Sequence, residues 1–276
     1  MDENIVQAAV LAIVQGLTEF IPISSSGHLV IVPWFLGWEK PSLLFDTVLH
    51  WGTLLSIFLV FGRDLWRIAL ATLGSVLSRS LADSDARMGW FIVVGSIPAV
   101  VSGLLWKDFF EALFASPTAA GGFLLVTALL LSASEWVVRR SPPRGTLKQL
   151  TWRQAILIGC AQAVALAPGI SRSGSTIAAG LGLGLRREDA ARFSFLLGTP
   201  AFFGAGLLQL LDALAVDAVE VAAQVPMLVV GLVVSAVVGY AAIRGLLAYL
   251  RRRSLYVFAA YCLGMGLLVL GLGLLG

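Results

Sequence analysis

Two short polar clusters interrupt the apolar sequence, and the first combines a carboxylate, serines and a histidine. It runs Gln15-Gly-Leu-Thr-Glu19-Phe-Ile-Pro-Ile-Ser24-Ser25-Ser26-Gly27-His28. The serine hydroxyls are candidate nucleophiles or oxygen ligands, and His28 can act as a general base or as a nucleophile. Glu19 can hold a divalent cation, and Gln15, one helical turn earlier, can add an amide oxygen. A structural, fully hydrogen-bonded ring is the alternative for His28.

The second cluster surrounds an arginine and has the composition of a phosphate-binding tip. It runs Pro168-Gly169-Ile-Ser171-Arg172-Ser173-Gly174-Ser175-Thr176. Because Arg172 stays charged, its place inside an apolar stretch requires an anion beside it. Hydroxyl donors, close-approaching glycines and a helix that begins just after the tip favour a phosphate as that anion. The alternatives are a structural ion pair with Glu19, and small residues that serve only helix packing.

A further ionisable pair, Asp46 and His50, lies one helical turn apart near the start of the next apolar run. Ionisable groups inside membrane segments are functional candidates by default. We interpret these two as possible supporting groups behind the reacting ones.

The composition places these clusters in a membrane. Apolar residues make up 58% of the 276 residues, charged residues make up 13%, and the mean hydropathy is +0.91. A soluble protein cannot cover that much apolar surface with so few charges. The sequence therefore predicts an all-α polytopic membrane protein. It excludes a disordered protein, a nucleic-acid binder and a disulfide scaffold, since the net charge is only +3 and there are two cysteines.

Eight apolar runs predict the elements. Two of them, 5–37 and 154–185, are too long for one span and hold the polar clusters at their centres. Proline and glycine break a helix there, so each run is predicted to be a re-entrant helical hairpin, with a kinked full span as the alternative. The other six runs are predicted transmembrane helices: 43–62, 89–106, 118–138, 193–211, 226–245 and 255–275.

Loop charge predicts the orientation. If the N-terminus is outside and each hairpin returns to its side of entry, the loops 63–88, 139–153, 186–192 and 244–253 share one side. These loops hold most of the 19 basic residues. The opposite side carries acidic residues: Asp2, Glu3, Asp108, Glu111, Asp212, Asp217 and Glu220. The positive-inside rule makes the basic side cytoplasmic.

The chain is predicted to be a single integral membrane domain, 1–276, built from inverted-topology repeats at about 1–140 and 150–276. Pro22–Gly27 resembles Pro168–Gly174, and Phe45–Thr53 resembles Phe193–Thr199. The loop charges orient the two halves oppositely. Folds of this kind place their site near the membrane midplane, where broken helices meet.

The two clusters closely resemble the signature motifs of the undecaprenyl-diphosphatase family, the bacitracin-resistance phosphatases. The resemblance extends to Phe45–Thr53 and to Phe193–Pro200, and so covers nearly the whole chain. It implies a multi-pass enzyme of the bacterial cytoplasmic membrane. Such an enzyme hydrolyses undecaprenyl diphosphate to undecaprenyl phosphate and inorganic phosphate, which recycles the lipid carrier for peptidoglycan synthesis. It further implies a divalent cation, Mg²⁺ or Ca²⁺, and an active site facing the external side.

The motif match also implies roles for particular residues. The functional positions correspond to Glu19, Ser25, His28 and Arg172. The polar positions of the second motif correspond to Ser171, Ser173 and Thr176. Together with the residues singled out by their chemistry, the predicted substrate-binding residues are Ser24, Ser26, Gly27, Gly169, Ser171, Ser173, Gly174 and Thr176. Where the family has Glu or Gln this chain has Gln15, so Glu19 is the one carboxylate for the metal, and Gln15 can contribute only an oxygen. The nucleophile is left open between Ser25, His28 and a water molecule.

Two other classes of protein share parts of this pattern. Inverted repeats with paired hairpins also occur in transporters, so an anion or lipid-phosphate transporter or flippase is the alternative function. Another lipid-phosphatase superfamily needs a histidine after its Ser-Arg motif, and this chain has no histidine after His50. The expected partners are the polyprenyl diphosphate substrate and membrane lipids, with no nucleic acid. The sequence leaves the oligomeric state open.

Overall fold

The structure, a computed structural model, describes residues 2–213 and 218–275. Those residues form α-helices joined by short loops, with one 3₁₀ turn at Leu147–Gln149 and no strand among them. The helices are α1 Asp2–Thr18, α2 Ser25–Leu36, α3 Leu43–Ser78, α4 Ser84–Leu105, α5 Lys107–Leu113, α6 Pro117–Arg140, α7 Trp152–Val164, α8 Arg172–Gly182, α9 Arg187–Ala213, α10 Ala218–Leu250 and α11 Tyr256–Leu275.

Each of the two long apolar runs forms a pair of short helices with a polar turn between them. The first pair, α1 and α2, has 17 and 12 residues, and the second pair, α7 and α8, has 13 and 11. None of the four reaches the roughly 20 residues that a membrane span needs. The structure thus contains the predicted breaks, while the re-entrant path through a membrane stays a prediction.

Within the part of the chain that the structure describes, five helical segments are long and apolar enough to cross a membrane, as in a multi-pass membrane protein. They are Leu43–Ser78, Ser84–Leu105, Pro117–Arg140, Gln224–Leu250 and Tyr256–Leu274. The sixth predicted span, 193–211, lies in α9, and its last part falls outside the residues whose side chains are described. The acidic residues Asp212, Asp217 and Glu220, which are predicted to be external, also lie outside the residues whose side chains are described.

Two helices extend well into predicted loops. α3 continues through 63–78, and α10 continues to Leu250, so much of the segments 63–88 and 244–253 is helical. Phe61, Ile68 and Ser75 recur on one face of α3 and are buried, which keeps the extended helix packed. Charged residues mark where an apolar run ends rather than where the helix ends, so loops predicted from charge begin too early.

Helix pairs build the interior. α10 packs against both α1 and α3, α4 packs against α7, and α6 packs against α11. At the centre, the fully buried rings of Phe20 and Phe195 meet edge to face with centroids 5.4 Å apart. Since Phe20 directly follows Glu19, this contact anchors the first polar cluster to α9.

Candidate active site

The first polar cluster forms a turn that begins at the end of α1 and closes at the start of α2. Pro22 cannot continue a helix, and Ser24 adopts a left-handed conformation with φ 72°. The Ser24 hydroxyl then caps α2 by accepting a hydrogen bond from the Gly27 N–H at 3.2 Å. The turn leaves Glu19 buried and places half-buried Ser25 and Ser26 in the first turn of α2.

The second polar cluster forms a matching turn between α7 and α8. Gly169 has φ +96°, a conformation that L side chains rarely adopt. The Ser171 hydroxyl caps α8 by accepting from the Gly174 N–H at 3.0 Å. Thr127 of α6 fixes the turn from outside: its hydroxyl donates to the Gly169 carbonyl at 2.8 Å and accepts from the Ser171 N–H at 2.9 Å.

The two turns touch each other, although about half the chain separates them in sequence. The Ser24 hydroxyl accepts a second hydrogen bond, from the Gly169 N–H, at 3.1 Å. A Cβ on Gly27 would lie 3.0 Å from the Gly169 Cα, so the two backbones are in close contact. The glycines that were predicted to bind substrate therefore permit this close packing.

Glu19 and Arg172 form a buried ion pair across the junction. Arg172 Nη2 lies 3.1 Å from Glu19 Oε1, and the two side chains are 13% and 4% exposed. Glu19 Oε2 accepts hydrogen bonds from the Ser25 hydroxyl at 2.5 Å and from Gln15 Nε2 at 2.9 Å. The structural ion pair considered for Arg172 is thus present, and it sets the orientation of Ser25.

Arg172 keeps donor capacity beyond this pair. Its Nη1 donates to the Ser194 carbonyl at 3.2 Å, and its guanidinium lies 4.2 Å from the centroid of the Phe202 ring. Its Nε–H is buried and has no hydrogen-bond partner among the described residues. A buried N–H donor without a hydrogen-bond partner destabilises the protein. An anion that binds beside Arg172 could accept a hydrogen bond from it.

A pocket of about 370 Å³ opens over this junction. The predicted site residues that line it are Glu19, Ser24, Ser25, Ser26, Ser171 and Arg172. Its remaining lining is mainly apolar, including Ala99, Gly103, Phe110, Leu166 and Phe202. The polar members of that lining are Thr18, His50, Lys107, Glu111 and Gln162. The pocket therefore combines a small charged end with an apolar wall.

The other predicted binding residues lie behind the pocket. Thr176 is buried and bonds to the Arg172 carbonyl at 2.8 Å and to the Ser194 hydroxyl at 2.6 Å. Ser173 is buried and lies 3.2 Å from the Ser171 hydroxyl. Together with Gly174 they shape the first turn of α8, which carries Arg172, without lining the pocket.

His28 is turned away from the pocket. Its Nδ1 lies 2.7 Å from the Ser24 carbonyl, and its Nε2 lies 2.7 Å from the hydroxyl of Tyr261 in α11. A carbonyl only accepts, so Nδ1–H donates to it, and Nε2 is hydrogen-bonded to the Tyr261 hydroxyl. Both ring nitrogens are therefore occupied. This geometry matches the alternative in which His28 is a structural, fully hydrogen-bonded ring. The catalytic role of His28 stays a prediction.

The histidine that lines the pocket is His50, for which the sequence predicts only a supporting position. Its Nδ1–H donates to the Asp46 carbonyl at 2.9 Å, and its ring lies 6.3 Å from the Phe202 ring. The feature of the sequence that could have identified His50 is that it is a histidine within the apolar run that follows the first cluster. Nothing in the sequence shows that α3 brings His50 to the same cavity as Arg172.

The donor set for a divalent cation is small. Among the described residues no group of three or more His, Cys, Asp and Glu side chains could hold a metal ion. Glu19 supplies one carboxylate, and Gln15 Oε1 is buried without a hydrogen-bond partner. Of the two residues only Glu19 lines the pocket, and Gln15 is hydrogen-bonded to it. Carboxylate and amide oxygens are ligands that Mg²⁺ and Ca²⁺ accept.

The fold and the site together define a polytopic α-helical membrane protein with a charged site where two broken helices meet. The chain belongs to a family within this class, because a family model described as "Bacitracin resistance protein BacA" matches residues 8–268.

Similar proteins support this membership. An undecaprenyl-diphosphatase of Chloroherpeton thalassium is 45% identical over 274 residues, which cover 98% of this chain and 96% of the relative. An undecaprenyl-diphosphatase of Rubrobacter xylanophilus is 44% identical over 275 residues and 99% of both chains. One of Thermomicrobium roseum is 43% identical over 272 residues and 97% of both chains.

Proposed function

We propose that this protein hydrolyses undecaprenyl diphosphate to undecaprenyl phosphate and inorganic phosphate. The observation that carries the proposal is the group formed by Glu19, Ser25 and Arg172 at the charged end of the pocket. Its relatives are named for this reaction. The activity recycles the lipid carrier of cell-wall synthesis and removes the lipid that bacitracin binds.

The two ends of the pocket match the two parts of the substrate. Arg172, with its unpartnered Nε–H, and the Ser171 hydroxyl hold the terminal phosphate. The apolar wall between α4 and α7, formed by Ala99, Gly103 and Leu166, accommodates the first isoprene units. The rest of the tail stays in the lipid.

Ser25 is the proposed nucleophile. Its hydroxyl already donates to Glu19, so the carboxylate can take the proton as Ser25 Oγ forms a bond to the terminal phosphorus. The bond from that phosphorus to the bridging oxygen breaks, and undecaprenyl phosphate leaves. A water molecule then hydrolyses the phosphoserine. Arg172 stabilises the charge of both steps, which is the largest contribution expected in phosphoryl transfer.

The expected divalent cation is Mg²⁺ or Ca²⁺. Glu19 and the unpartnered Gln15 Oε1 would hold it together with substrate oxygens. When bound, it would neutralise the negative charge of the diphosphate. His28 positions the site in this account, because its hydrogen bond to the Ser24 carbonyl fixes the first turn of α2.

Several contacts support the proposed inverted repeat of 1–140 and 150–276. If α1 corresponds to α7 and α4 to α10, the packing of α1 on α10 has its counterpart in the packing of α7 on α4. Likewise α3 packs on α10 as α9 packs on α4. The pocket then lies between the halves and, in the bacterial cytoplasmic membrane, faces the external side, opposite the basic loops. The transporter alternative is not favoured by the relatives' names.

The experiment is phosphate release from undecaprenyl diphosphate by the purified protein in detergent. We expect release that EDTA abolishes and that Mg²⁺ or Ca²⁺ restores. Glu19→Ala should abolish it, whereas Glu188→Ala, which removes a half-buried carboxylate paired with Arg251 outside the pocket, should not. If well-folded wild-type protein releases no phosphate with metal present, the proposal is wrong, and transport of the lipid would be measured next.

A further inference from the structure

A second pocket lies at the other end of the helices that line the first. It measures about 360 Å³ and is lined by α3, α4, α9 and the 3₁₀ turn. Along α3, His50 in the first pocket and Asp64 in the second are about 20 Å apart at 1.5 Å per residue. Along α9, Arg192 and Phe202 are about 15 Å apart by the same measure. The two pockets are therefore separate sites.

Basic side chains dominate the second pocket, which we call the basic pocket. The cations that line it are Arg67, Arg87, Lys148, Arg186 and Arg192, and the anions are Asp64, Asp85 and Asp189. Asp64 pairs with Arg192 at 2.9 Å and with Arg67 at 3.2 Å. Asp85 also pairs with Arg67, and Asp189 pairs with Arg186 at 2.7 Å. Every carboxylate of the pocket is thus already paired.

Two cations of the basic pocket are left over. Arg87 and Lys148 form no ion pair among the described residues. In addition, Arg192 Nε is buried and has no hydrogen-bond partner among those residues. A ligand with about two negative charges and several acceptor oxygens would complete this arrangement, and phosphate esters have both properties.

Most of the remaining lining is apolar and consists of Ile68, Met88, Phe91, Leu147 and Leu196, and the hydroxyl residues Ser84 and Thr146 complete it. An apolar wall next to a basic rim suits a phosphate group at the membrane surface.

We propose that the basic pocket binds a phosphate-bearing ligand, either a phosphate lipid headgroup or a free phosphate. The proposal rests on the pocket itself and is independent of the proposed hydrolysis. Arg87 and Lys148 contribute the uncompensated charge, and Arg192 contributes the unpartnered donor. Because the pocket lies among the basic loops, its expected location is the cytoplasmic surface.

The test measures how fast a cysteine in the basic pocket reacts. Ser84 lines the pocket and is exposed, so Ser84→Cys is introduced into full-length protein carrying Cys160→Ala, and a neutral maleimide labels it in detergent. The probes are inorganic pyrophosphate, micelles with phosphatidic acid, and micelles with phosphatidylcholine. At about four times its Kd, a bound probe should slow labelling about fivefold. Protection by pyrophosphate would mean that free phosphate suffices, and protection by phosphatidic acid alone would mean a lipid headgroup.

Matched variants connect protection to the pocket. Arg87→Ala with Lys148→Ala should raise the Kd of the protecting probe about tenfold. Arg139→Ala with Arg140→Ala removes the same charge from exposed side chains outside the pocket and should change the Kd less than twofold. The proposal is overturned if no phosphate probe protects, if phosphatidylcholine protects equally, or if both double variants lose protection to the same extent.

Discussion

At the scale of single residues, the site depends on one carboxylate with several simultaneous partners. Glu19 contacts Arg172, Ser25 and Gln15 while remaining 4% exposed. This arrangement orients the Ser25 hydroxyl and holds Arg172 at the pocket before substrate arrives. Preorganisation of this kind lowers the reorganisation needed for reaction.

Removing the arginine should be the most damaging single change. We expect Arg172→Ala to lower kcat/KM for undecaprenyl diphosphate by roughly 10³-fold or more, because it removes a charge contact to the transferred phosphoryl group. Arg172→Lys should not restore activity fully, since it lacks the planar, bidentate donor geometry. Arg251→Ala, at an exposed arginine paired with Glu188, is the control. A loss below tenfold in Arg172→Ala would reject the role.

Ser25 should carry a transient phosphoryl group. When the reaction with substrate labelled in its terminal phosphate is quenched rapidly, the label should remain bound to the protein. Acid should preserve this phosphoenzyme and base should release its label, as expected for phosphoserine. Ser25→Ala should remove the trapped label, and Ser26→Ala should retain it. A label that acid releases and base preserves would instead indicate phosphohistidine, at His50 in the pocket or at His28, and would overturn the role of Ser25.

The two histidines show where sequence reasoning ends at this scale. Residue types and local spacing were enough to single out Glu19 and Arg172, which do meet in the fold. The occupied nitrogens of His28 depend on Tyr261, which is far away in the sequence. The position of His50 at the pocket depends on how α3 packs. A local sequence motif does not reveal such long-range contacts.

At the scale of elements, two capped half-helices and the glycines between them position the site. The Ser24 and Ser171 hydroxyls cap α2 and α8, and the Gly169 N–H joins the two turns. Prolines, glycines and serines in mid-run predict these breaks from sequence. The length of α3 was not predictable in the same way, because its extension carries charged residues on one face and buried residues on the other.

Gly169→Ala should separate the two turns. The position has φ +96°, where a side chain costs about 1–2 kcal/mol, and the added Cβ would collide with the Ala120 carbonyl. We expect the thermal midpoint to fall by a few degrees. Phosphatase activity should fall more than about tenfold, because small displacements of positioned groups are costly in catalysis.

The matched control for this change is Gly182→Ala. Gly182 lies at the end of α8, and a Cβ there meets nothing within 4 Å. Its activity should stay close to that of the wild type. Equal activities of the Gly169 and Gly182 variants would contradict the role of the tight junction.

At the scale of the whole molecule, the proposed orientation can be tested by labelling. Glu39→Cys, in the loop between α2 and α3, should react with an impermeant maleimide added outside cells carrying the Cys160→Ala protein. Ser141→Cys, which follows α6 among the basic residues, should react only after permeabilisation. Both positions are exposed. The opposite pattern would place the pocket on the cytoplasmic side.

Two turns from opposite halves of the chain are proposed to form one active site. The most direct measurement is a double-mutant cycle on kcat/KM for undecaprenyl diphosphate with Glu19→Gln and Arg172→Lys. If Glu19 and Arg172 act as one unit, the double variant should lose little more than the worse single variant. Losses that multiply, as for two independent positions, would contradict the account.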